Sequence, residues 1–412
     1  MTDNAPTPDT VPSGPLKILI GADTFPPNVN GAARFTSRLA AGITNRGHEV
    51  VIMAPGFDKT HGVFTETHDG VELSVHRLYS WRWLNHPWFR FVLPWRSKAH
   101  ARRVLDAVKP DVVHIQSHIV VGRGLTRQAV KRGIRVVATN HFMPENIIEH
   151  TLIPRFLRKL AIRIAWADAA RTYRLCESVT TPTRKAADFL ESETDIEDVH
   201  AISCGLNASE YRSSPTRPEE NRVVFVGRVT AEKHIDVLIR AVAKIDPELD
   251  VKLDIIGGGE LMDHLKRLAA DLGIGDRTTF TGYVSDEELR AGLTRATVFS
   301  IPSVAELQSI ATMEAMASGL PVVAANAMAL PHLVRDGQNG YLFAPGDTDD
   351  LAQKLTRVLT APDDEYLRMK RASLAFIRPH DIELTLSTFE RLYRGLPVTD
   401  PVTEVSLDSL GD

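Results

Sequence analysis

The most constraining feature of this sequence is an alternation of short β-branched apolar runs with longer stretches of helical spacing, which occurs in two blocks. Such runs are typical of buried parallel strands. The first block contains runs at 16–22, 50–54, 112–116 and 136–139, and the second, after a polar linker at 215–220, contains runs at 222–226, 251–256, 278–281, 298–301 and 321–325. Repeated βαβ units in two blocks predict an α/β protein of two doubly wound Rossmann-like domains that face each other across a cleft.

The same pattern predicts the domain limits. We expect an N-terminal domain at 15–210, a C-terminal domain at 216–378, and a C-terminal helix at 379–396 that packs back on the N-terminal domain. A disordered tail is expected at 1–14, where the basic and apolar regions of a signal peptide are missing, and a polar tail at 397–412. No apolar run approaches the roughly 18 residues of a membrane-spanning helix.

The distribution of charge indicates an anionic partner for the first half of the chain. The net charge is only −4, but 19 Lys and Arg against 5 Asp and Glu lie between Val75 and Leu175, so this stretch carries +14 and the remainder −18. Nucleic acid, an anionic membrane and an acidic substrate all fit this asymmetry. The two cysteines, Cys176 and Cys204, are too few for a disulfide scaffold or a zinc knuckle.

A glycine follows the first strand of each block, and in the second block two cations follow it as well. In the second block, Gly227 and Arg228 follow the strand at 222–226, and Lys233 begins the next helix. An Arg fork and a compact Lys charge at one sheet edge form a clamp for a diphosphate, and a solvated charged turn is an equally good interpretation. In the first block, Gly31 opens a helix whose N–H groups attract anions, although an ordinary turn explains it better.

The sharpest motif places Glu306 and Glu314 eight residues apart across a strand-to-helix turn. In a continuous helix the two would lie roughly 12 Å and 80° apart. Paired acid–base carboxylates need about 5–10 Å, so the spacing fits two anchors on an elongated ligand instead. The backbone N–H groups of Leu307–Ile310 would contact phosphate between them. Solvated acids on a helix face are a poor alternative, because residues 315–317 beside Glu314 are apolar.

Two further positions are singled out by their place after a strand. His141 follows the strand at 136–139, and only this position at the sheet edge distinguishes it among fifteen histidines. Gly257 begins a run of three glycines after the strand at 251–256, and a tight turn beside a nucleotide and a purely structural turn both explain it.

Aromatic and basic residues interleave in two segments, 81–98 and the predicted helix 154–175. Such belts suit the surface of an anionic bilayer, and they also suit stacking on single-stranded nucleic acid. A helix with one core-facing side and a charged outer face is the third possibility. The residues predicted to contact an acceptor or a membrane are Trp83, Trp88, Arg155, Arg158, Lys159 and Arg163.

Taken together, these motifs resemble the retaining glycosyltransferases of family GT4, which have the two-domain GT-B fold. The resemblance runs from about Leu16 to Arg394. It rests on four motifs in the family's order: the Pro-Pro-Asn-Val-Asn-Gly loop, the Gly-Arg…Glu-Lys segment at 227–233, the E-x7-E signature continuing into EAMASGLPVVA, and Asn-Gly-Tyr-Leu at 339–342.

The resemblance implies a role for each motif residue. Arg228 and Lys233 would hold the donor diphosphate and do electrostatically what a metal does elsewhere, so neither a metal nor another cofactor is expected. Glu306 would contact sugar hydroxyls, Glu314 the ribose, and His141 would reach toward the transferred sugar. The residues expected to bind the donor are Gly31, Gly227, Arg228, Lys233, Gly257, Val284, Glu306, Leu307, Gln308, Ser309, Ile310 and Glu314.

The implied activity is metal-independent, front-face transfer of mannose or glucose from GDP-mannose or UDP-glucose to a membrane lipid or glycolipid. The segments 307–310 and 139–145 are similar to the branch that glycosylates diacylglycerol-type lipids. We therefore expect a cytoplasmic protein, peripheral at the inner face of the plasma membrane, that does not bind nucleic acid. The alternatives are a soluble sugar or sugar-phosphate acceptor, or a non-enzymatic module that binds nucleotide sugars or nucleic acid.

Overall fold

The structure is a computed structural model that describes residues 14–28, 30–57, 60–83, 86–144 and 153–400. The chain divides into two compact units. The first unit comprises the chain up to Ser203 together with the segment Glu383–Asp400, and the second unit spans Cys204–Ile382. No helix within the described ranges has both the length and the apolar composition that crossing a bilayer requires.

The first unit contains a large mixed sheet and a short ribbon. Its strands are β1 (Lys17–Gly21), β2 (Glu49–Pro55), β3 (Gly62–His68), β4 (Val71–Leu78), β5 (Trp81–Trp83), β6 (His86–Phe91), β7 (Val112–Ile115), β8 (Arg135–Thr139), β9 (Ser178–Thr181) and β10 (His200–Ala201). The sheet order is β10-β9-β8-β7-β1-β2-β4-β3, in which β3 alone runs antiparallel, and β5 and β6 form the separate antiparallel ribbon.

The helices of the first unit are α1 (Gly31–Asn45), α2 (Pro94–Val108), α3 (Val120–Val130), α4 (Arg155–Tyr173) and α5 (Arg184–Thr194). The first of them shows why the sequence folds this way. The Asn30 side chain caps α1 by accepting a hydrogen bond from the Ala33 N–H at 2.9 Å, and Phe35, Leu39 and Ile43 recur every fourth residue as its buried stripe.

The second unit has an all-parallel sheet of β11 (Arg222–Val226), β12 (Lys252–Ile256), β13 (Thr278–Gly282), β14 (Val298–Ile301), β15 (Val322–Ala325) and β16 (Gly340–Phe343). Its order is β13-β12-β11-β14-β15-β16, which is the strand order of the Rossmann fold. The order reverses between β11 and β14, and ligands of such sheets bind at the carboxyl ends of the strands beside this switch point.

Helices follow the strands of the second unit, and the last helix of the chain belongs almost entirely to the first unit. They are α6 (Ile235–Lys244), α7 (Met262–Asp271), α8 (Asp286–Arg295), α9 (Ile310–Ala317), α10 (Leu330–Leu333), α11 (Thr348–Leu359), α12 (Asp363–Phe376) and α13 (Ile382–Tyr393). Within the first unit, Arg46 at the end of α1 holds α13 through ion pairs to Glu383 at 2.6 Å and Glu390 at 3.2 Å.

The predicted α/β class with two doubly wound sheets is confirmed, and β11 and β14 have the predicted bounds. The antiparallel hairpin of β3 and β4 was not predicted. Its turn consists of Asp69 and Gly70, with φ of 47° and 77°. Positive φ at both central residues is typical of a type I′ turn, for which Asp-Gly is a favoured sequence, so the signal was present in the chain.

Candidate functional site

A glycine stands at the carboxyl end of three neighbouring strands of the second unit: Gly227 directly after β11, Gly257 directly after β12, and Gly282 as the last residue of β13. The Gly227 N–H donates to the Ile256 carbonyl at 3.0 Å, and the Gly257 N–H donates to the Gly282 carbonyl at 3.0 Å. A Cβ atom on Gly257 would stand 1.9 Å from the Gly227 carbonyl oxygen, and its φ is 134°. Only glycine fits at Gly257, because both the close approach and the backbone angle exclude a side chain.

Arg228 stands directly after β11 with its side chain half exposed. Its guanidinium pairs with the Glu232 carboxylate at 3.0 Å, one helical turn later. Burial raises the pKa of Glu232, but the Thr230 hydroxyl and the charges of Arg228 and Lys233 outweigh it and leave the pKa below its ordinary value. Glu232 therefore carries its charge at neutral pH and holds Arg228 at the switch-point edge.

Lys233 and Glu306 form the central ion pair of the site. Their ammonium and carboxylate groups are in direct contact, with side chains only 16% and 11% exposed. Lys233 lies in the turn after β11 and Glu306 in the loop after β14, so the pair bridges the two strands at the switch point. A second link joins the same loops, because the Ser303 hydroxyl donates to the Glu232 carbonyl at 3.3 Å. The structure thus places Lys233 in contact with Glu306, and Arg228 in contact with Glu232, the residue that precedes Lys233.

The loop after Glu306 differs from the predicted helical geometry. Helix α9 begins at Ile310 rather than before it, because Ser309 adopts a left-handed φ of 70° and accepts the Thr312 N–H as the N-cap. The separation calculated for eight consecutive helical residues is therefore wrong for Glu306 and Glu314. The first N–H groups of α9, at Ile310 and Ala311, have no partner within the helix and are the ones that attract an anion.

Gln308 has an internal role that the sequence did not indicate. Its side chain is 3% exposed, accepts the Cys204 N–H at 2.8 Å and lies 3.4 Å from Nδ1 of His380. Burial lowers the pKa of His380 to about 3, so this ring is neutral. The Gln308 side chain is therefore engaged inside the second unit.

Glu314 is buried in the same unit, at 2% exposure on α9. The alternative that it is a solvated surface acid is therefore wrong. Val284 is partly buried in the loop after β13, next to the half-exposed Tyr283 whose ring covers Gly258. Tyr283 and Val284 therefore lie beside the run of glycines that begins at Gly257.

Two predicted site residues belong to the first unit. Gly31 is the first residue of α1, directly after its capping residue Asn30. His141 follows β8, where its Nε2 lies 3.1 Å from the Gln116 amide oxygen and its ring centroid lies 4.9 Å from that of Phe35. Burial lowers the pKa of His141 to about 4, so the imidazole is neutral at pH 7.

Helix α4 presents two adjacent exposed stripes in its first turns. Phe156 is 82% exposed, and Leu160 and Ile164 continue its stripe at intervals of four residues. Arg155, Lys159 and Arg163 form the neighbouring stripe and make no ion pair with any described residue. The third possibility for this segment, a core-facing helix, holds only for its second half, where Trp166 is 2% exposed and packs against Phe189.

The other predicted acceptor residues are placed less fully. Arg158 donates to the Ile153 carbonyl at 3.3 Å and so stays close to the start of α4. Trp83 and Trp88 lie in the β5–β6 ribbon, but their side chains are outside the described part of the structure. Across the described ranges, no three His, Cys, Asp or Glu side chains come together to hold a metal ion.

Two protein families match consecutive parts of this chain. Residues 29–210 match the family described as Glycosyltransferase Family 4, and residues 208–374 match Glycosyl transferases group 1. The chain is 31% identical to MMP alpha-(1->4)-mannosyltransferase of Mycolicibacterium hassiacum, over 66% of this chain and 68% of that protein. The two matching families together extend through both units.

Other relatives and a solved structure agree with this result. A GDP-mannose-dependent alpha-mannosyltransferase of Mycobacterium tuberculosis is 27% identical, over 81% of this chain and 85% of that protein. Alpha-monoglucosyldiacylglycerol synthase of Streptococcus pneumoniae is 24% identical, over 84% and 79%. The fold is similar to that of sucrose-phosphate synthase from Thermosynechococcus elongatus, with a TM-score of 0.74, 18% identity, and 92% and 98% of the two chains covered.

Proposed function

This chain belongs to glycosyltransferase family 4 and has the GT-B fold, and from this premise we propose that it transfers mannose or glucose from a nucleotide sugar to a membrane lipid or glycolipid. The observation that carries the proposal is the pairing of Lys233 with Glu306 across the switch point, with Arg228 beside it. Cations and a carboxylate placed there suit a sugar diphosphate, which offers both phosphate oxygens and hydroxyl groups.

The ion pair itself supports a sequence of contacts on donor binding. Lys233 and Glu306 are largely withdrawn from water, where charge–charge interactions are stronger than at the surface. A diphosphate that takes over the Lys233 ammonium leaves the Glu306 carboxylate free to accept hydrogen bonds from sugar hydroxyls. We propose that Glu314 contacts the ribose and that the backbone around Val284 contacts the base. GDP-mannose and UDP-glucose are the two donors we propose.

The chemistry follows from the same residues. Arg228, Lys233 and the N–H groups at the start of α9 stabilise the negative charge that grows on the leaving diphosphate. An oxygen of that diphosphate takes the proton of the acceptor hydroxyl as the new glycosidic bond forms on the same face, so the anomeric configuration is retained. Gly31 permits close approach of backbone to phosphate, and the neutral His141 contacts the transferred sugar.

Helix α4 supports a membrane-bound acceptor. Its exposed apolar stripe lies beside cations that make no ion pair with any described residue, and this is the arrangement that docks on an anionic bilayer, with the apolar side chains among the acyl chains and the cations at the head groups. We therefore place the protein at the inner face of the plasma membrane, with a lipid or glycolipid as acceptor. A relative named for diacylglycerol supports the same acceptor class.

A donor panel tests this function. Purified protein is incubated with GDP-mannose, UDP-glucose and other nucleotide sugars, with and without a lipid extract, and release of nucleoside diphosphate is measured. We expect turnover of one donor that rises with lipid, and a glycolipid product. Turnover that needs only a soluble sugar contradicts the lipid acceptor, and tight donor binding without turnover on any acceptor contradicts the enzyme.

A further inference from the structure

A row of buried polar side chains lies behind His141 in the first unit. Strands β7 and β8 are parallel neighbours, and Gln116 follows β7 as His141 follows β8. We propose that Gln116 is a positioning residue that holds His141 in one tautomer and one ring orientation for the transfer reaction. This inference rests on the proposed function only in giving His141 a part in the reaction.

The contacts of the row run from His141 to the interior of the unit. Nε2 of His141 lies 3.1 Å from Oε1 of Gln116. The Gln116 amide nitrogen lies 3.2 Å and 3.3 Å from the two ring nitrogens of His114. His114 is fixed in turn, because its Nε2 lies 2.7 Å from the Thr139 hydroxyl and its Nδ1 lies 2.8 Å from the Tyr393 hydroxyl.

The nearly equal distances from the Gln116 amide nitrogen determine which way the amide points. They place this nitrogen over the ring of His114 rather than in line with either ring nitrogen. An aromatic face is electron-rich, so it attracts the amide N–H group and repels the amide oxygen. The oxygen of Gln116 is therefore directed at His141.

An amide oxygen accepts hydrogen bonds but cannot donate them, and this determines which ring nitrogen of His141 carries the proton. A neutral imidazole has one N–H and one lone pair, and Nε2 must carry the hydrogen to bond with Gln116. Nδ1 is then left as an acceptor toward a substrate hydroxyl. The ring cannot turn freely, because Phe35 packs on it at a centroid distance of 4.9 Å.

The difference in solvent exposure distinguishes the role of Gln116 from that of His141. Gln116 is 3% exposed and His114 is fully buried, whereas His141 is partly exposed and ends the row on the solvent side. Gln116 therefore acts through His141 and not on the substrate. Its replacement by an isosteric side chain without an acceptor oxygen is predicted to affect catalysis more than donor binding.

The test combines a spectroscopic and a kinetic measurement on the full chain labelled with 15N-histidine. Long-range 1H–15N spectra report the tautomer, and the signal of His141 is identified by its loss in His141→Gln. We expect an Nε2–H signature in the wild type, loss of this signature in Gln116→Met, and its return in Gln116→Glu at pH 8. With the best donor, kcat of Gln116→Met should fall about 10- to 100-fold with donor KM nearly unchanged.

Two outcomes overturn the inference. One is an Nδ1–H signature for His141 in the wild type, and the other is a Gln116→Met variant with unchanged tautomer and unchanged kcat. An unchanged emission spectrum of the five tryptophans, all of which lie in the first unit, verifies that the variant is folded. Failure of the proposed function is a separate result, because a protein without transferase activity still shows or lacks the Nε2–H tautomer.

Discussion

Cations have acidic partners in one region of the molecule and not in another. The first region is the pair of loops after β11 and β14 in the second unit, and the other is helix α4 in the first unit, considered among the described residues. Arg228 and Lys233 are each matched to a glutamate, and the second pair is mostly withdrawn from water. Arg155, Lys159 and Arg163 have no acidic partner among the described residues and stand beside exposed apolar side chains. Paired cations on rigid turns fit a compact dianion, whereas unpaired cations on an open helix fit an extended anionic surface.

The difference indicates how one chain with a net charge of −4 would meet the two anionic partners that we propose. The stretch with +14 contains α4 and lies in the first unit, while the paired cations lie in the acidic remainder of the chain. The donor residues must therefore act over a few ångströms. The cations of the first unit act over the Debye length, roughly 10 Å at 0.1 M salt, and only they should be strongly sensitive to salt.

The largest expected effect is on Glu306. Glu306→Gln keeps the shape of the side chain but removes the charge that balances Lys233 and that we propose as the acceptor of hydrogen bonds from sugar hydroxyls. We expect kcat for donor turnover to fall about 10²- to 10³-fold with the fold retained by circular dichroism. Glu287→Gln, at an exposed position on α8 of the same unit, is the control and should be neutral. Near-normal turnover in Glu306→Gln would remove this residue from the site.

Lys233 is expected to show the next largest effect, in binding rather than in chemistry alone. Lys233→Ala removes the charged contact that we propose to the diphosphate, so the Kd for the nucleoside diphosphate should rise about 10- to 100-fold in a calorimetric titration. Lys244→Ala removes an exposed surface pair to Asp349 in the same unit and should leave the Kd unchanged. Equal Kd values for wild type and Lys233→Ala would contradict the clamp.

The two units should also respond differently to acid. In the first unit, burial lowers the pKa of His114 to about 3 and the pKa values of His118 and His141 to about 4. In the second unit, burial lowers the pKa of His380 to about 3. These rings stay neutral in the folded state but take up protons on unfolding below pH 6.5. The free energy of unfolding is therefore highest, with respect to these histidines, above pH 6.5, and it falls as the pH is lowered toward 3–4.

The measurement uses the five tryptophans, all of which lie in the first unit. Urea unfolding followed by fluorescence of the buried Trp166 should show the first unit less stable at pH 5 than at pH 7, with His114 contributing about 2 kcal/mol. In His114→Asn the difference between the two pH values should shrink by this amount. A difference that is the same in both proteins would contradict a neutral buried His114.

The regular part of the fold could be predicted because buried parallel strands have a strong signal. The runs at 222–226 and 298–301 are short, β-branched and bounded by polar residues, and both were predicted to the residue. Strand β3 was not, because its exposed face makes it polar at most positions. Its signal lay in the Asp69-Gly70 turn instead.

The site was predictable wherever a residue type had to follow a strand. Arg228 and Lys233 follow β11, and Glu306 follows β14. Because β11 and β14 are neighbours in the sheet, Lys233 and Glu306 come into contact. The left-handed Ser309 and the internal bonds of Gln308 were not predictable, since each depends on a backbone angle or a distant partner. Gln116 was missed although it follows β7 as His141 follows β8, because a single glutamine carries no signal of its own.

The smallest effect we predict, and the one that tests the first unit, is on Phe156. Transfer of this exposed ring from water to the acyl region contributes about 1.5 kcal/mol, so Phe156→Ala should weaken binding to phosphatidylglycerol vesicles about tenfold in co-sedimentation. Leu272→Ala, an exposed apolar residue of the second unit, is the matched control. Nucleoside diphosphate affinity should be unchanged in both variants. Equal binding of the wild type to phosphatidylglycerol and phosphatidylcholine vesicles would show that the exposed cations of α4 do not dock the protein, and the contrast between the two units would then concern only the donor.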